Sequence, residues 1–244
     1  MEVETHGTSG DDAYLSGHDI GDASSNDTIY GYAGNDVING GAGDDVLYGG
    51  DGNDLLYGGS GHSLLYGGND SDHIYATGYN TGFGDAGADY LYNNATSGDA
   101  ASTAVTLYGG DDNDTLYGGY GATVMDGGNG TDTMYGFSGA VDTFKFDAAT
   151  AFNGVDTVSQ FATGGASHDK LDISDILEGH YNPATDVITN FVQIQTSGSN
   201  SEVYVDTTGT GTFNAADHIA TISGVTGLTD EAADVTAGLL ITVH

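Results

Sequence analysis

The hydrophobic residues of this chain recur with a period of nine. In the stretch 40–66, GGAGDDVLYGGDGNDLLYGGSGHSLLY, a glycine-rich segment of six residues alternates with three residues whose middle one is apolar. Glycine adopts positive φ without a Cβ penalty and lets backbones approach closely, so the six residues predict a turn. The other three predict a short strand with its middle side chain inward. The predicted inward residues include Leu47, Leu56, Leu65, Ile74, Leu116 and Met134.

The nine-residue units follow one another without a gap over much of the chain. They occupy 22–30, 31–39, 40–48, 49–57, 58–66 and 67–75, and again 109–117, 118–126 and 127–135. Between 76 and 108 the register is lost, apart from one stray unit at 84–92. Two units make one coil, turn–strand–turn–strand, of a flat right-handed solenoid. Residues 18 apart in the sequence are therefore predicted to stack on the same edge.

The sixth residue of most units is aspartate, and these residues are predicted to form rows. They are Asp27, Asp36, Asp45, Asp54, Asp72, Asp114 and Asp132. Stacking at one strand spacing, about 4.8 Å, is unfavourable for like charges unless a cation lies between them. Carboxylate and carbonyl oxygens favour Ca²⁺, and the chain has no cysteine thiolate to favour zinc. Asp54 has a partner at this spacing on each side, so we expect it to matter more than Asp114, whose only clear partner is Asp132.

Composition narrows the function classes. The 36 acidic residues face only Lys145 and Lys170, for a net charge of -34. Such a charge excludes nucleic acid and anionic membrane surfaces as natural partners. There is no apolar run of about 18 residues that would predict a membrane span. The start, Met1 to Glu4, has neither a basic nor an apolar segment, so a secreted protein of this kind would need another export address.

The GGxGxD turn followed by an inward aliphatic residue resembles the RTX nonapeptide repeat. The resemblance covers roughly residues 22–75 and 109–139. It implies a calcium-bound parallel β-roll that holds several Ca²⁺ ions. The implied ligands are the seven aspartates above together with turn glycines. These glycines are Gly31, Gly34, Gly40, Gly41, Gly43, Gly49, Gly50, Gly52, Gly109, Gly110, Gly127, Gly128 and Gly130.

Several positions depart from that repeat. Ser63 and Thr123 stand where aspartate is expected, which puts the site pairing Ser63 with Asp45 in doubt. Asp70 and Asp112 replace the fourth glycine of their units. Asp12 and Asp89 are further candidate ligands, the latter within the irregular segment.

The C-terminal hundred residues carry a second resemblance. The segment 142–177, which begins DTFKFDAATAF, is similar to the region that follows RTX repeats in type I secreted proteins. Residues 190–206 predict two alternating strands around a Ser-Gly-Ser-Asn turn. Residues 218–243 complete a pattern that resembles the secretion-target domain of very large bacterial surface adhesins. The resemblance implies an uncleaved C-terminal signal, with a type I ABC transporter and its outer-membrane channel as partners.

Together these observations predict an all-β protein with a right-handed parallel β-roll at 1–140. A β-rich C-terminal cap at 141–244 carries the secretion signal. The predicted function is non-catalytic: a calcium-binding module of a bacterial surface adhesin, secreted and located at the cell surface. One alternative is the export module of a secreted enzyme, such as a protease, lipase or epimerase. The other is a surface-layer or matrix protein that self-associates through tyrosine-rich faces.

Two local patterns leave alternatives open. The ninth residue of a unit is often tyrosine, which favours rings that pair along the sheet over an outward adhesive surface. The segment 206–217, DTTGTGTFNAAD, has the spacing of an EF-hand loop, although a long hairpin connection is favoured there.

Overall fold

The computed structural model describes residues 3–10, 12, 15–16, 26–96, 104–164, 168–226, 228 and 240–241. These residues are almost all in β-strands and turns. The strands β1–β10 are Val3–His6, Leu15–Ser16, Asp27–Ala33, Val37–Asn39, Val46–Asp51, Leu55–Tyr57, Leu64–Asn69, His73–Ala76, Thr81–Ala86 and Tyr90–Asn93. The strands β11–β21 are Ala104–Asp111, Thr115–Tyr117, Ala122–Asn129, Thr133–Tyr135, Thr143–Lys145, Asp156–Ser159, Lys170–Asp172, Val192–Ser197, Asn200–Val205, His218–Ile222 and Leu240–Ile241. Short helical turns cover Ser174–Leu177 (α1), Ile188–Asn190 and Ala215–Asp217.

The strands form two long sheets, and successive strands alternate between them. The first sheet has the order β1-β3-β5-β7-β9-β11-β13-β15-β17-β21. The second runs β18-β19-β20-β16-β14-β12-β10-β8-β6-β4-β2. Neighbours from β1 to β17 are parallel, because each coil adds one strand to each sheet in the same direction. The predicted parallel β-roll is therefore confirmed.

The length of a coil is 18 residues where the repeats are regular. Leu47 pairs with Leu65, and Leu116 with Met134. In the middle of the roll Leu65 pairs with Gly82, 17 residues on, and Gly82 with Leu107, 25 residues on. The irregular segment thus continues the roll in coils of other lengths.

All of this variation lies on one side of the roll. From β3 to β14, turn segments that lead from the first sheet to the second keep six residues, and we call this side the constant edge; the next such segment, 146–156, has eleven. They are 31–36, 49–54, 67–72, 84–89, 109–114 and 127–132. Turn segments that lead back differ in length, and we call that side the variable edge. They include 40–45, 58–63, 76–80, 118–123 and 136–142.

The core between the sheets is one side chain thick for most of the roll. Each strand points its middle residue inward, as predicted, and these side chains are fully buried. They include Ile29, Ile38, Leu47, Leu56, Leu65, Ile74, Leu91, Leu107, Leu116, Met125, Met134 and Phe144, all with 0% exposure. With one such residue per strand, the core of the repeats is thin.

The tyrosines at the ninth positions stack along the outer faces. On the first sheet, Tyr30, Tyr48 and Tyr66 stack with ring centroids 5.0 and 5.1 Å apart. Phe83 and Tyr108 continue that row. The second sheet carries a row from Tyr57 to Tyr135, with centroid distances of 4.8–5.0 Å. The favoured prediction, that the rings pair along the sheet, is confirmed.

Beyond residue 140 the same two sheets continue. Parallel strands β15 and β17 extend the first sheet, and β16 and β20 extend the second. Lys145 donates to Asp147 at 2.7 Å and lies 2.9 Å from Asp175 of α1, which ties this helix to the roll. The two predicted parts therefore share both sheets, and the boundary between 140 and 141 stays a prediction.

The predicted strand pair at 190–206 is confirmed. β18 and β19 are antiparallel, and β19 then pairs antiparallel with β20. Of the predicted secretion-signal segment 218–243, residues 227, 229–239 and 242–243 lie outside the described residues. No helix in the described part of the chain has the length and apolar character needed to cross a membrane.

Candidate metal sites

A row of aspartates closes the turns of the constant edge, one at the sixth residue of each. The backbone N–H of each aspartate donates to Oδ1 of the aspartate one coil further on. Asp36 donates to Asp54, and Asp54 donates to Asp72, both at 2.7 Å. The same bond joins Asp72 to Asp89 at 2.7 Å, Asp89 to Asp114 at 2.8 Å and Asp114 to Asp132 at 2.8 Å. The row extends at its ends to Asp12 and Asp156.

In five of these carboxylates the second oxygen has no such bond. Oδ2 is buried and without a hydrogen-bond partner in Asp54, Asp72, Asp89, Asp114 and Asp132. The residues themselves are at most 2% exposed. A buried carboxylate oxygen without a partner is strongly unfavourable, so this row calls for a positively charged ligand.

Backbone oxygens lie beside the unpaired carboxylates. A Cβ on Gly49, the first residue of its turn, would collide with Asp54 Oδ2 and with the carbonyl oxygen of Gly67 in the next coil. Glycine therefore leaves room there for two oxygens to face each other. The same relation recurs from Gly31 to Gly109 along the constant edge.

The second and fourth residues of the turns present further carbonyl oxygens. Gly50 and Gly52 have φ of +118° and +121°. A side chain at Gly50 would collide with the carbonyl oxygen of Tyr32, and one at Gly52 with that of Gly34. Asp70, Asp85 and Asp112 take the glycine positions elsewhere on this edge and adopt φ of 73–76°. Such left-handed backbone is uncommon outside glycine but is tolerated by Asp and Asn. The aspartates that replace glycine therefore adopt the same left-handed turn conformation as the glycines of the regular repeats.

This donor set fits calcium. In the described residues no three Asp, Glu, His or Cys side chains converge as a metal cluster, so carboxylates alone do not complete a coordination sphere. Ca²⁺ takes six to eight oxygens, including backbone carbonyls. Two aspartates of adjacent coils together with turn carbonyls supply hard oxygens of that kind. An ion held there would offset the repulsion of the buried carboxylates.

The predicted site residues are divided between the two edges. Those on the constant edge are Asp36, Asp54, Asp72, Asp114, Asp132, Gly31, Gly34, Gly49, Gly50, Gly52, Gly109, Gly110, Gly127, Gly128 and Gly130. Those on the variable edge are Asp27, Asp45, Gly40, Gly41 and Gly43. Asp27 N–H donates to Asp45 Oδ1 at 2.9 Å, so this pair is stacked as the spacing of 18 predicts.

After Asp45 the variable edge loses its carboxylates. Asp45 N–H donates to Ser63 Oγ at 3.1 Å, and Ser63 N–H to Asn80 Oδ1 at 2.8 Å. Val105 and then Thr123 take the next two positions, as their strand pairing shows. Neutral groups thus occupy four successive coils on this side.

Further along the variable edge, aspartates again occupy this position, and both oxygens of each carboxylate accept backbone hydrogen bonds. Asp142 Oδ1 accepts from Thr123 N–H at 3.1 Å, and its Oδ2 accepts from Phe137 N–H at 2.7 Å. Asp169 Oδ1 accepts from Asp142 N–H at 2.9 Å, and its Oδ2 accepts from Ala162 N–H at 2.8 Å. Here a backbone N–H donates to Oδ2, the atom that has no hydrogen-bond donor in the constant-edge aspartates.

The spacing of 18 correctly placed Asp132 beside Asp114 but missed its other neighbour, Asp89. Asp114 lies between Asp89 and Asp132, as Asp54 lies between Asp36 and Asp72, so the expected difference between Asp54 and Asp114 disappears. The spacing of 18 could not show this, because the coil between Asp89 and Asp114 has 25 residues. The stray unit 84–92 was the available signal for Asp89, and Asp156 lacked a GGxGxD turn that would have marked it.

The EF-hand alternative at 206–217 is wrong. Asp206 is the centre of a local turn, in which Thr208 and Thr210 donate through backbone and side chain to its two oxygens. Burial alone would raise the pKa of Asp206, but the bonds from the two threonines lower it to about 2. The segment joins the antiparallel strands β19 and β20, as the favoured hairpin prediction has it.

The carboxylates of the constant edge are poor acids when no metal is bound. Burial raises the pKa of Asp54, Asp89 and Asp132 to about 6, and that of Asp72 and Asp114 to about 8. Backbone hydrogen bonds oppose the shift at all five residues, and neighbouring aspartates add to it at Asp72 and Asp114. At neutral pH these groups therefore favour either a proton or a cation.

Acidification should accordingly promote folding of the metal-free chain. The folded pKa values of about 6 to 8 lie above the unfolded value of about 3.9. The stabilisation by protonation is complete below about pH 4 and is lost as pH rises through 6 to 8. In excess EGTA, the β signal in far-UV circular dichroism should be larger at pH 5 than at pH 8. As a control, the double variant Asp72→Asn/Asp114→Asn should raise the signal at pH 8. A smaller β signal at pH 5 would contradict these pKa directions.

Comparison with known families agrees with this geometry. The profile of the RTX calcium-binding nonapeptide repeat (four copies) matches residues 23–56, 48–78 and 106–134. The matched ranges include the constant-edge turns 31–36, 49–54, 67–72, 109–114 and 127–132 and omit 84–89. A search of curated proteins found no match.

Proposed function

Because the chain carries RTX calcium-binding nonapeptide repeats, which mark a calcium-binding module of a secreted protein, we propose that its roll folds on Ca²⁺ after type I secretion. We further propose that it is the non-catalytic C-terminal module of a bacterial surface adhesin. The observation that carries the calcium-dependent folding is the row of five buried, unpaired carboxylate oxygens on the constant edge. A titration of the β signal with calcium after EGTA treatment tests it.

A thin core and a high net charge both disfavour folding of the roll without metal. Ordering the backbone costs about 1–2 kcal/mol per residue. Burying one aliphatic side chain contributes about 1.5–3 kcal/mol, and each nine-residue unit has one such residue. A unit thus buries little apolar surface to set against that cost, and its aspartates also repel those of the neighbouring coils. Metal binding then supplies folding free energy, as in other metallo-domains.

The difference in calcium concentration between the cytosol and the exterior would determine where the roll folds. Sites in extracellular modules bind with dissociation constants of about 10⁻⁴–10⁻³ M, far above cytosolic calcium levels. The roll would stay unfolded inside the cell, in a state suited to a narrow export channel. It would fold outside, where neighbouring coils stabilise one another as in other solenoids.

The proposed export signal lies in the C-terminal region. A chain that lacks residues 190–244 should remain in the cytosol of a host with a type I system, because β18–β21 and the segment between β20 and β21 are removed. Calcium binding by Asp36–Asp132 should be retained, since that row lies outside the deletion. Immunoblots of medium and cytosol measure export.

A matched control removes one whole coil, residues 49–66, which leaves the C-terminal region intact. This deletion joins Tyr48 to Gly67, both at the positions that a coil boundary requires. It should be exported like the full chain. Normal export of the 190–244 deletion would contradict the location of the signal.

Two alternatives give different results in the parent protein. An enzyme export module predicts hydrolytic or epimerase activity in the full-length product, which the adhesin proposal does not. A self-assembling surface protein predicts calcium-dependent sheets on a surface. For that alternative, the stacked tyrosine rows of both outer faces are the relevant surface.

A further inference from the structure

The two edges of the roll differ in the residue that ends each turn, which is aspartate in the GGxGxD pattern. On the constant edge it is aspartate in each described coil from Asp36 to Asp156, joined by an unbroken series of backbone-to-Oδ1 bonds. On the variable edge four coils in succession lack it. The edges therefore differ both in the lengths of their turns and in whether a carboxylate is present to bind a metal ion.

We infer that the roll binds its ions along the constant edge, including at Asp89, and that the variable edge from Ser63 to Asp169 is held together without metal. This inference rests on the proposed calcium binding and says where it occurs. Asp89 is then a ligand, whereas the buried carboxylates Asp142 and Asp169 of the variable edge are not.

On the constant edge, one oxygen of each carboxylate from Asp54 to Asp132 lacks a hydrogen-bond partner. Five consecutive aspartates, Asp54 to Asp132, each bury an Oδ2 atom that has no hydrogen-bond donor. Asp89 is only 1% exposed, so bulk solvent does not reach its carboxylate. A cation between adjacent coils would contact these atoms and the turn carbonyls beside them.

On the variable edge, hydrogen bonds complete the same positions. Ser63 Oγ and Asn80 Oδ1 accept the backbone N–H groups that carboxylates accept on the other side. The Asn80 side-chain amide also donates to the carbonyl oxygen of Gly59 at 3.0 Å, so one carbonyl of the turn is already bonded. Asn93 Nδ2 donates to Thr123 Oγ1 at 3.0 Å and lies 3.3 Å from the carbonyl oxygen of Gly121.

The returning carboxylates need no ion. Asp142 and Asp169 are fully buried, as the constant-edge aspartates are. Each of their four oxygens accepts a backbone N–H at 2.7–3.1 Å. Burial raises the pKa of Asp142 to about 7, within the range of the constant-edge aspartates, so the two edges differ in hydrogen bonding and not in pKa. A carboxylate that accepts hydrogen bonds from backbone donors is stabilised in its charged form without a metal.

Calcium stoichiometry of the full chain tests the inference. Asp89→Asn should lower the number of bound Ca²⁺ ions by at least one, measured by equilibrium dialysis at saturating calcium. Asp142→Asn, at an equally buried position on the variable edge, should leave the number unchanged. Equal losses in both variants would overturn the inference, and so would an unchanged number in Asp89→Asn.

A gain-of-site variant covers the case in which Asp142→Asn fails to fold. Ser63→Asp places a carboxylate in a six-residue turn, next to the unpaired Asp45 Oδ2. The number of bound ions should rise by about one, as expected for a new calcium site. No gain would contradict the view that this edge lacks an ion for want of a carboxylate. If the unaltered chain binds no calcium, the proposed function itself fails, and that result is distinct from a loss shared by both edges.

Discussion

EGTA should remove most of the β-sheet signal of this chain at pH 7.5, and added calcium should restore it along a sigmoidal curve. The physical reason is the row of buried carboxylates on the constant edge, whose pKa values of about 6 to 8 show how unfavourable their charged form is without a cation. Each coil completes half of a site for the next, so binding at one site favours folding of its neighbour. Far-UV circular dichroism during a calcium titration measures the transition.

Magnesium provides the matched control. It requires near-ideal octahedral geometry and gives up its water reluctantly, so equal concentrations should restore much less β signal. Full β structure and a sharp thermal transition in EGTA would show that calcium is not needed for folding. Equal restoration by magnesium would contradict the oxygen-rich calcium sites.

Gly49→Ala should damage both the packing of the roll and its calcium sites. The new Cβ would collide with Asp54 Oδ2 and with the carbonyl oxygen of Gly67, one a metal-site atom and the other backbone. Overpacking alone costs about 1–3 kcal/mol, and displacement of the carboxylate would disturb the calcium sites as well. The midpoint of the calcium titration should therefore rise severalfold, and the thermal midpoint in calcium should fall.

The control for this substitution is Gly164→Ala. A Cβ at Gly164 meets no atom within 4 Å, and neither glycine is held at positive φ. The control should titrate and melt like the unaltered chain. If Gly49→Ala matched it, the close approach of adjacent coils on the constant edge would be wrong.

The period of the sequence was enough to predict the roll and its core. One apolar residue in nine, flanked by glycine-rich turns, leaves few ways to bury Leu47 or Leu56, and both are fully buried as predicted. The spacing of 18 also placed Asp36, Asp54 and Asp72 in one row. These features depend only on local repetition, which a sequence displays directly.

The continuation of the row through Asp89 could not be predicted in this way. Counting residues fixes an edge only while every turn has the same length, and the turn at 76–80 is one residue short. The sequence also could not show that Asp142 and Asp169 are satisfied by Phe137 and Ala162. Those donors come from turns that have no GGxGxD pattern, so only the folded backbone brings them to the carboxylates.

The constancy of one edge and the variability of the other imply an unequal tolerance of change in length over evolution. An extra residue in a variable-edge turn leaves the opposite row of aspartates in register, as the coils of 17 and 25 residues already demonstrate. An extra residue between Gly49 and Asp54 would move a carboxylate out of its row. Peptide tags or foreign loops are therefore best grafted on the variable edge, between Asn93 and Val105, where the chain is already longer than a six-residue turn. Duplication of a whole coil would extend the roll by one strand spacing, about 4.8 Å, and add one strand to each sheet.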